Sequence, residues 1–216
     1  MRASPSAVCI PSVALALAAL ATAGCGAKRV PNDVLEKLPY ESRIELLEAE
    51  NELALAVDHL DEAHNEVSRT RDAIQRAKDR RSSAKGEVGD AKDKPSREVA
   101  ELSVEEADAR VEYLRARQRV NVANEDLQEV ELRCARERFE LARVNVARKA
   151  KVKGSEGLSP EKFEKQVKSC EADVADERKE IKEKTRKAEQ VKGEWEKRKT
   201  VLAKKTFDAR ASPYVE

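Results

Sequence analysis

Aromatic side chains are scarce: three Phe, three Tyr and one Trp in 216 residues. So few bulky rings cannot fill a thick compact interior, although a bundle two or three helices across needs only a narrow apolar seam. Gly and Pro number only seven each, so little interrupts a helix. Charge of one sign is missing as well. The formal net charge is +1, which excludes any general bias toward nucleic acid or an anionic membrane. There is no Gly-rich phosphate loop, no C-x-x-C and no G-x-S-x-G. The only two histidines, His59 and His64, stand five apart rather than the four that an H-E-x-x-H zinc site needs. His64 flanks the repeat described next and is expected to pack. Acid clusters such as Glu105, Glu106 and Asp108 follow helical surfaces, with no element to wall water away from a carboxylate pair. An enzyme, a metal site and a cofactor are therefore not expected.

What the chain does have is a long repeat. Over residues 46–84, Leu46, Leu53, Leu60, Val67 and Ile74 recur every seven positions. Each is followed three residues later by a small side chain: Ala49, Ala56, Ala63, Thr70 and Ala77. Over residues 99–144, Tyr113, Val120, Leu127, Cys134 and Leu141 form one series, with Ala109, Ala116, Ala123, Val130 and Val144 as partners. A sustained seven-residue repeat marks a coiled-coil seam, and small residues at alternate seam positions let helix axes approach closely. Charged residues make up 39% of the chain, enough to hold it open as a disordered polymer, but the heptads argue against that. The predicted fold is all-α: a long, extended, antiparallel coiled-coil bundle of three helices running up-down-up.

Boundaries follow from caps and breakers. Asn32 is expected to cap a short turn over 33–38, ended by Pro39. Helices are predicted over about 41–85, 97–153 and 160–207, with residues 208–216 as a flexible tail. Gly86, Gly89 and Pro95 mark the first connection and Ser96 the next cap; Gly154 and Gly157 mark the second, with Ser159 and Pro160 starting the third helix. In that helix Val167, Val174, Ile181, Ala188, Trp195 and Leu202 are seven apart, but Glu177, Lys184 and Arg198 break the companion series. It should pack tightly at its ends and loosely through its middle. Charge blocks support the pairing: residues 33–66 carry eleven acids and two bases, and 133–153 carry eight bases and two acids. At the other end, 69–97 carry ten bases and five acids, against six acids and one base in 98–112. Blocks of opposite sign favour an antiparallel hairpin over a parallel one.

The first 25 residues read as an address. Arg2 precedes an apolar run over 13–23 that is too short to span a bilayer and suits the h-region of a secretory signal. The run ends Ala23-Gly24-Cys25, which resembles the lipobox of bacterial lipoproteins, with Thr22 where a Leu is usual. The resemblance implies a signal peptide over 1–24, an acyl chain (palmitate among them) on Cys25, and a lipidated tether over 25–40 with solvated Lys28 and Arg29. Gly26 is unlike the Asp that retains enterobacterial lipoproteins in the inner membrane, so the periplasmic face of an outer membrane is favoured. Ala21-Thr22-Ala23 is also an ordinary A-x-A cleavage site, which leaves simple secretion open.

In an exported chain Cys134 and Cys170 meet an oxidising compartment. A turn around 154–157 would place Cys134 opposite residues 174–180, about 6–15 Å from Cys170 along the axis, so two buried thiols are expected. A disulfide between them needs a shifted register. The functional expectation is an envelope-anchored structural spacer or adaptor, with the membrane as partner through its lipid and other envelope proteins through helical surfaces. No nucleic acid is expected, and pairing of copies stays open. The alternatives are an accessory component of an efflux or secretion assembly, whose adaptors carry similar helical hairpins, and a soluble periplasmic holdase released by cleavage after Ala23.

Overall fold

Ala-rich, charge-laced segments with no proline in their interior fold as helix wherever a long apolar stripe can be buried. The computed structural model describes residues 29–206. The expected signal peptide, Cys25 and the tail over 208–216 lie outside the described residues. Within them the protein is all-helical, with four helices packed together: α1 (Asn32–Leu35), α2 (Tyr40–Asp90), α3 (Lys94–Lys149) and α4 (Pro160–Thr206). The 56 residues of α3 span about 84 Å at 1.5 Å per residue.

α3 is the spine. It packs against α2 and against α4, while no Cα of α2 lies within 8 Å of a Cα of α4. Partners descend along α3 as they ascend along α2: Glu45 pairs with Lys149, His64 with Glu125, and Arg81 with Asp108. The same holds for α4, where Glu171 meets Arg138, Arg178 meets Glu131 and Lys205 meets Glu98. Both charge-block junctions of the α2–α3 pair are thus bridged. Midway, the Asn121 amide donates to the Thr70 hydroxyl (2.7 Å), which donates to the Glu66 carbonyl (2.8 Å). Buried polar contacts of this kind discriminate against slipped registers.

Several boundaries differ from expectation. α2 runs through Gly86 and Gly89, and only residues 91–93 link it to α3. A Cβ at either glycine would meet nothing within 4 Å, and Ala84 beside them is fully buried, so packing carries the helix past them. The cap of α3 is Asp93, not Ser96. The Ser96 amide donates to Asp93 Oδ1 (2.8 Å), and this bond and the Ser96 hydroxyl hold the carboxyl below its ordinary range. Asn32 does not cap α1 either: Pro31 stands at that position, and Asn32 Oδ1 instead accepts from Arg143 (3.3 Å).

The largest correction is the end of α3. It stops at Lys149, ahead of the expected Lys153, without using Gly154. Lys151 adopts the left-handed conformation (φ 52°), its amide bonds the Arg148 carbonyl (3.0 Å), and the Val152 amide bonds the Ala147 carbonyl (3.1 Å). That is a Schellman stop with Lys where Gly is usual. It forms because Val152 is buried in a cluster with Ala147, Leu158 and Phe163. Val30, Val34 and Leu38 join the same cluster. Residues 30–38, within the tether expected over 25–40, are therefore folded onto the body. Arg143 donates to the Val30 carbonyl (3.2 Å) and to Glu140 (2.6 Å), and Arg43 closes the turn through the Leu38 and Glu36 carbonyls (3.1 and 2.7 Å).

Candidate docking trough

An early stop shifts the register of α4. Cys134 and Cys170 are bonded, with Cα atoms 5.5 Å apart, instead of standing apart as two thiols. Their sequence midpoint falls at the buried Val152, not within 154–157, which accounts for the shift. Beside the disulfide the molecule opens. Because α2 and α4 flank α3 with their backbones held apart, a trough of about 630 Å³ lies between them here, floored by Cys134 and Ala135 of α3. Its walls are Leu55 and Ala56 of α2 and Val174 and Ala175 of α4. Leu55 is 55% exposed, and Val174 and Ile181 are only half-buried although they belong to the regular seven-residue series.

The trough's charges divide unevenly. Arg138 pairs with Glu171 and Arg178 with Glu131, each at 2.8 Å, so both arginines of the lining are neutralised on the α3–α4 side. The α2 rim is different. Residues 41–66 hold nine acids and one base, and that base, Arg43, is turned back onto Leu38 and Glu36. Among the described residues Glu41, Glu48 and Glu52 pair with no cation, whereas their neighbour Glu45 is held by Lys149. Helical spacing lays these three along the trough side of α2, next to an arc of about 80° occupied by Tyr40, Ile44, Leu47 and Leu55. All four of those apolar residues are exposed, Tyr40 by 76%.

Toward the 91–93 end the packing is the reverse. Ile74 and Ala77 of α2, Val111, Tyr113 and Leu114 of α3, and Trp195 of α4 form one buried cluster. The Trp195 indole N–H donates to Glu106 Oε1 (2.6 Å), its ring stacks on Tyr113 (centroids 5.3 Å apart), and Arg110 and Lys199 lie over it at 5.5 and 5.3 Å. Trp195 is thus core, as expected of a seam residue. Glu106, expected on a helical surface with Glu105 and Asp108, is instead buried under Trp195, and the signal was there: it stands seven before Tyr113, an acid at a seam position in a chain whose lone Trp needs an acceptor.

Of the two histidines, His59 lines the trough, and His64 is exposed rather than packed, its Nδ1 2.8 Å from Glu125. Among the described residues no group of His, Cys, Asp or Glu is placed to hold a metal ion, and no helix is long and apolar enough to cross a membrane. Compared with protein families, with characterised proteins and with solved structures, the chain matches none.

Proposed function

We propose that the chain is an envelope lipoprotein acting as a spacer or adaptor: a three-helix, up-down-up antiparallel coiled-coil rod, tethered by an acyl group on Cys25. In this reading residues 1–24 are removed, the rod faces the periplasm from the outer membrane, and its work is docking through helical surfaces rather than turnover. One observation carries it. Val30, Val34 and Leu38 are packed at the end of α3 farthest from the 91–93 link, so an anchor a few residues upstream puts the membrane at one end of the body. The other end then stands about 80 Å away. The order of the ion pairs along α2, α3 and α4 supports the antiparallel arrangement. The Cys134–Cys170 bond supports export, since such bonds persist in oxidising compartments.

The test is metabolic labelling with a fatty-acid analogue in a host with a lipoprotein pathway. The wild-type chain is expected to take the label and to fractionate with membranes, and Cys25→Ser to do neither. An unlabelled, soluble wild-type chain cleaved after Ala23 would replace the tether with simple secretion.

A further inference from the structure

We infer that the trough is a docking site for a cationic amphipathic helix of a partner protein; this rests on the docking half of the function proposed above. Three helices with the outer two held apart leave the place a fourth helix takes in a bundle, and an amphipathic helix set into an apolar groove is a recurrent mode of recognition. The floor and walls are the right chemistry for its apolar face: Leu55, Ala56, Cys134, Ala135 and Val174. The rim specifies the charge of its flanks. Arg138 and Arg178 are already paired across α3 and α4, whereas Glu41, Glu48 and Glu52 on the α2 side pair with no cation among the described residues. An acidic or neutral helix would leave those carboxylates unmatched beside an apolar contact; lysines or arginines spaced by three or four residues would meet them. Four of the six large hydrophobics exposed on the described surface, Tyr40, Ile44, Leu47 and Leu55, lie along one arc of α2 beside these carboxylates, so an apolar strip borders this same rim.

The test uses the full chain and a fluorescent Leu/Lys amphipathic helical peptide of about five turns, with a Leu/Glu peptide of equal length as control. Fluorescence anisotropy is expected to show salt-sensitive binding of the Leu/Lys peptide and none of the Leu/Glu peptide. Glu48→Lys with Glu52→Lys should weaken binding by about tenfold or more. Leu55→Ser, which changes no charge, should weaken it by a similar factor, about tenfold. Glu183→Lys with Glu189→Lys, the same change of charge on exposed positions of α4 away from the trough, should leave it unaltered. Circular dichroism of each variant confirms that the helices persist. Equal loss in the α4 control, indifference to Leu55→Ser, or no binding by the wild-type chain overturns the inference. So does a peptide-free chain that sediments as a dimer and returns to monomer on Leu55→Ser, because the occupant is then a second copy. A chain that takes the acyl label but ignores the peptide keeps its tether and loses this site; one that binds the peptide but takes no label does the opposite.

Discussion

Near the 91–93 link, all three long helices share one core, in which Trp195 reaches from α4 to Tyr113 and Glu106 of α3, with Ile74 of α2 in the same cluster. Past the middle of α3, toward the other end, the same three helices surround an open trough, and seam residues such as Val174 stay half-buried. The seven-residue series runs through both regions, so periodicity alone does not set how tightly they close. Side-chain volume does: Trp, Tyr and Leu span the gap between α2 and α4 at one place, and Ala56, Ala135 and Ala175 leave it open at the other. Where the bulk is missing, the disulfide holds α4 to α3 instead. One region is built for cohesion, and the other keeps an accessible surface.

Substitutions in the two regions should therefore differ most. Trp195→Ala removes the largest side chain of the shared core and strands a buried carboxylate, and is expected to cost about 3–5 kcal/mol in chemical denaturation. Leu55→Ala in the trough, where the side chain is half in water, should stay within about 0.5 kcal/mol. Comparable losses at both sites would erase the distinction. Reduction of the Cys134–Cys170 bond, which closes a loop spanning 36 residues, should cost about 3–4 kcal/mol, read as a fall in Tm with reductant, and non-reducing peptide maps should show the linked pair.

Lys151→Gly acts in the other direction. It relieves a left-handed backbone that disfavours any residue with a Cβ, and should stabilise the chain by about 1 kcal/mol while leaving the trough untouched. The smallest effect is the cap of α3. Asp93 is held below its ordinary pKa in the folded chain, so its contribution is complete above the unfolded value and is lost as pH falls through the folded one. The Tm difference between wild type and Asp93→Ala is expected to hold constant from about pH 7 to pH 5 and to shrink below about pH 4. A difference that grew in acid would contradict the assigned cap.

The helical class, the three long segments and the charge-matched ends were legible in the sequence because each rests on a repeat or a block many residues long. What escaped rests on single residues. Gly154 looked like the stop of α3, but burial of Val152 ended the helix earlier with Lys151 in a strained conformation, and that shift brought Cys134 onto Cys170. Val30, Val34 and Leu38 are too few and too widely spaced to declare themselves as core before the loop over 150–159 is seen to receive them. Of the trough, Cys134 and His59 were singled out beforehand for other reasons. Its existence depends on the backbones of α2 and α4 standing apart beside small side chains, a property of three helices together that a pattern read one helix at a time does not contain.

Small-angle X-ray scattering of the chain measures the central claim most directly, since spacer and trough alike require long helices lying side by side with the N-terminal segment at one end. A longest dimension of about 85 Å or more, set by the rise of α3, is the expected result. A radius of gyration near 17 Å, roughly that of a globule of this length, would contradict it.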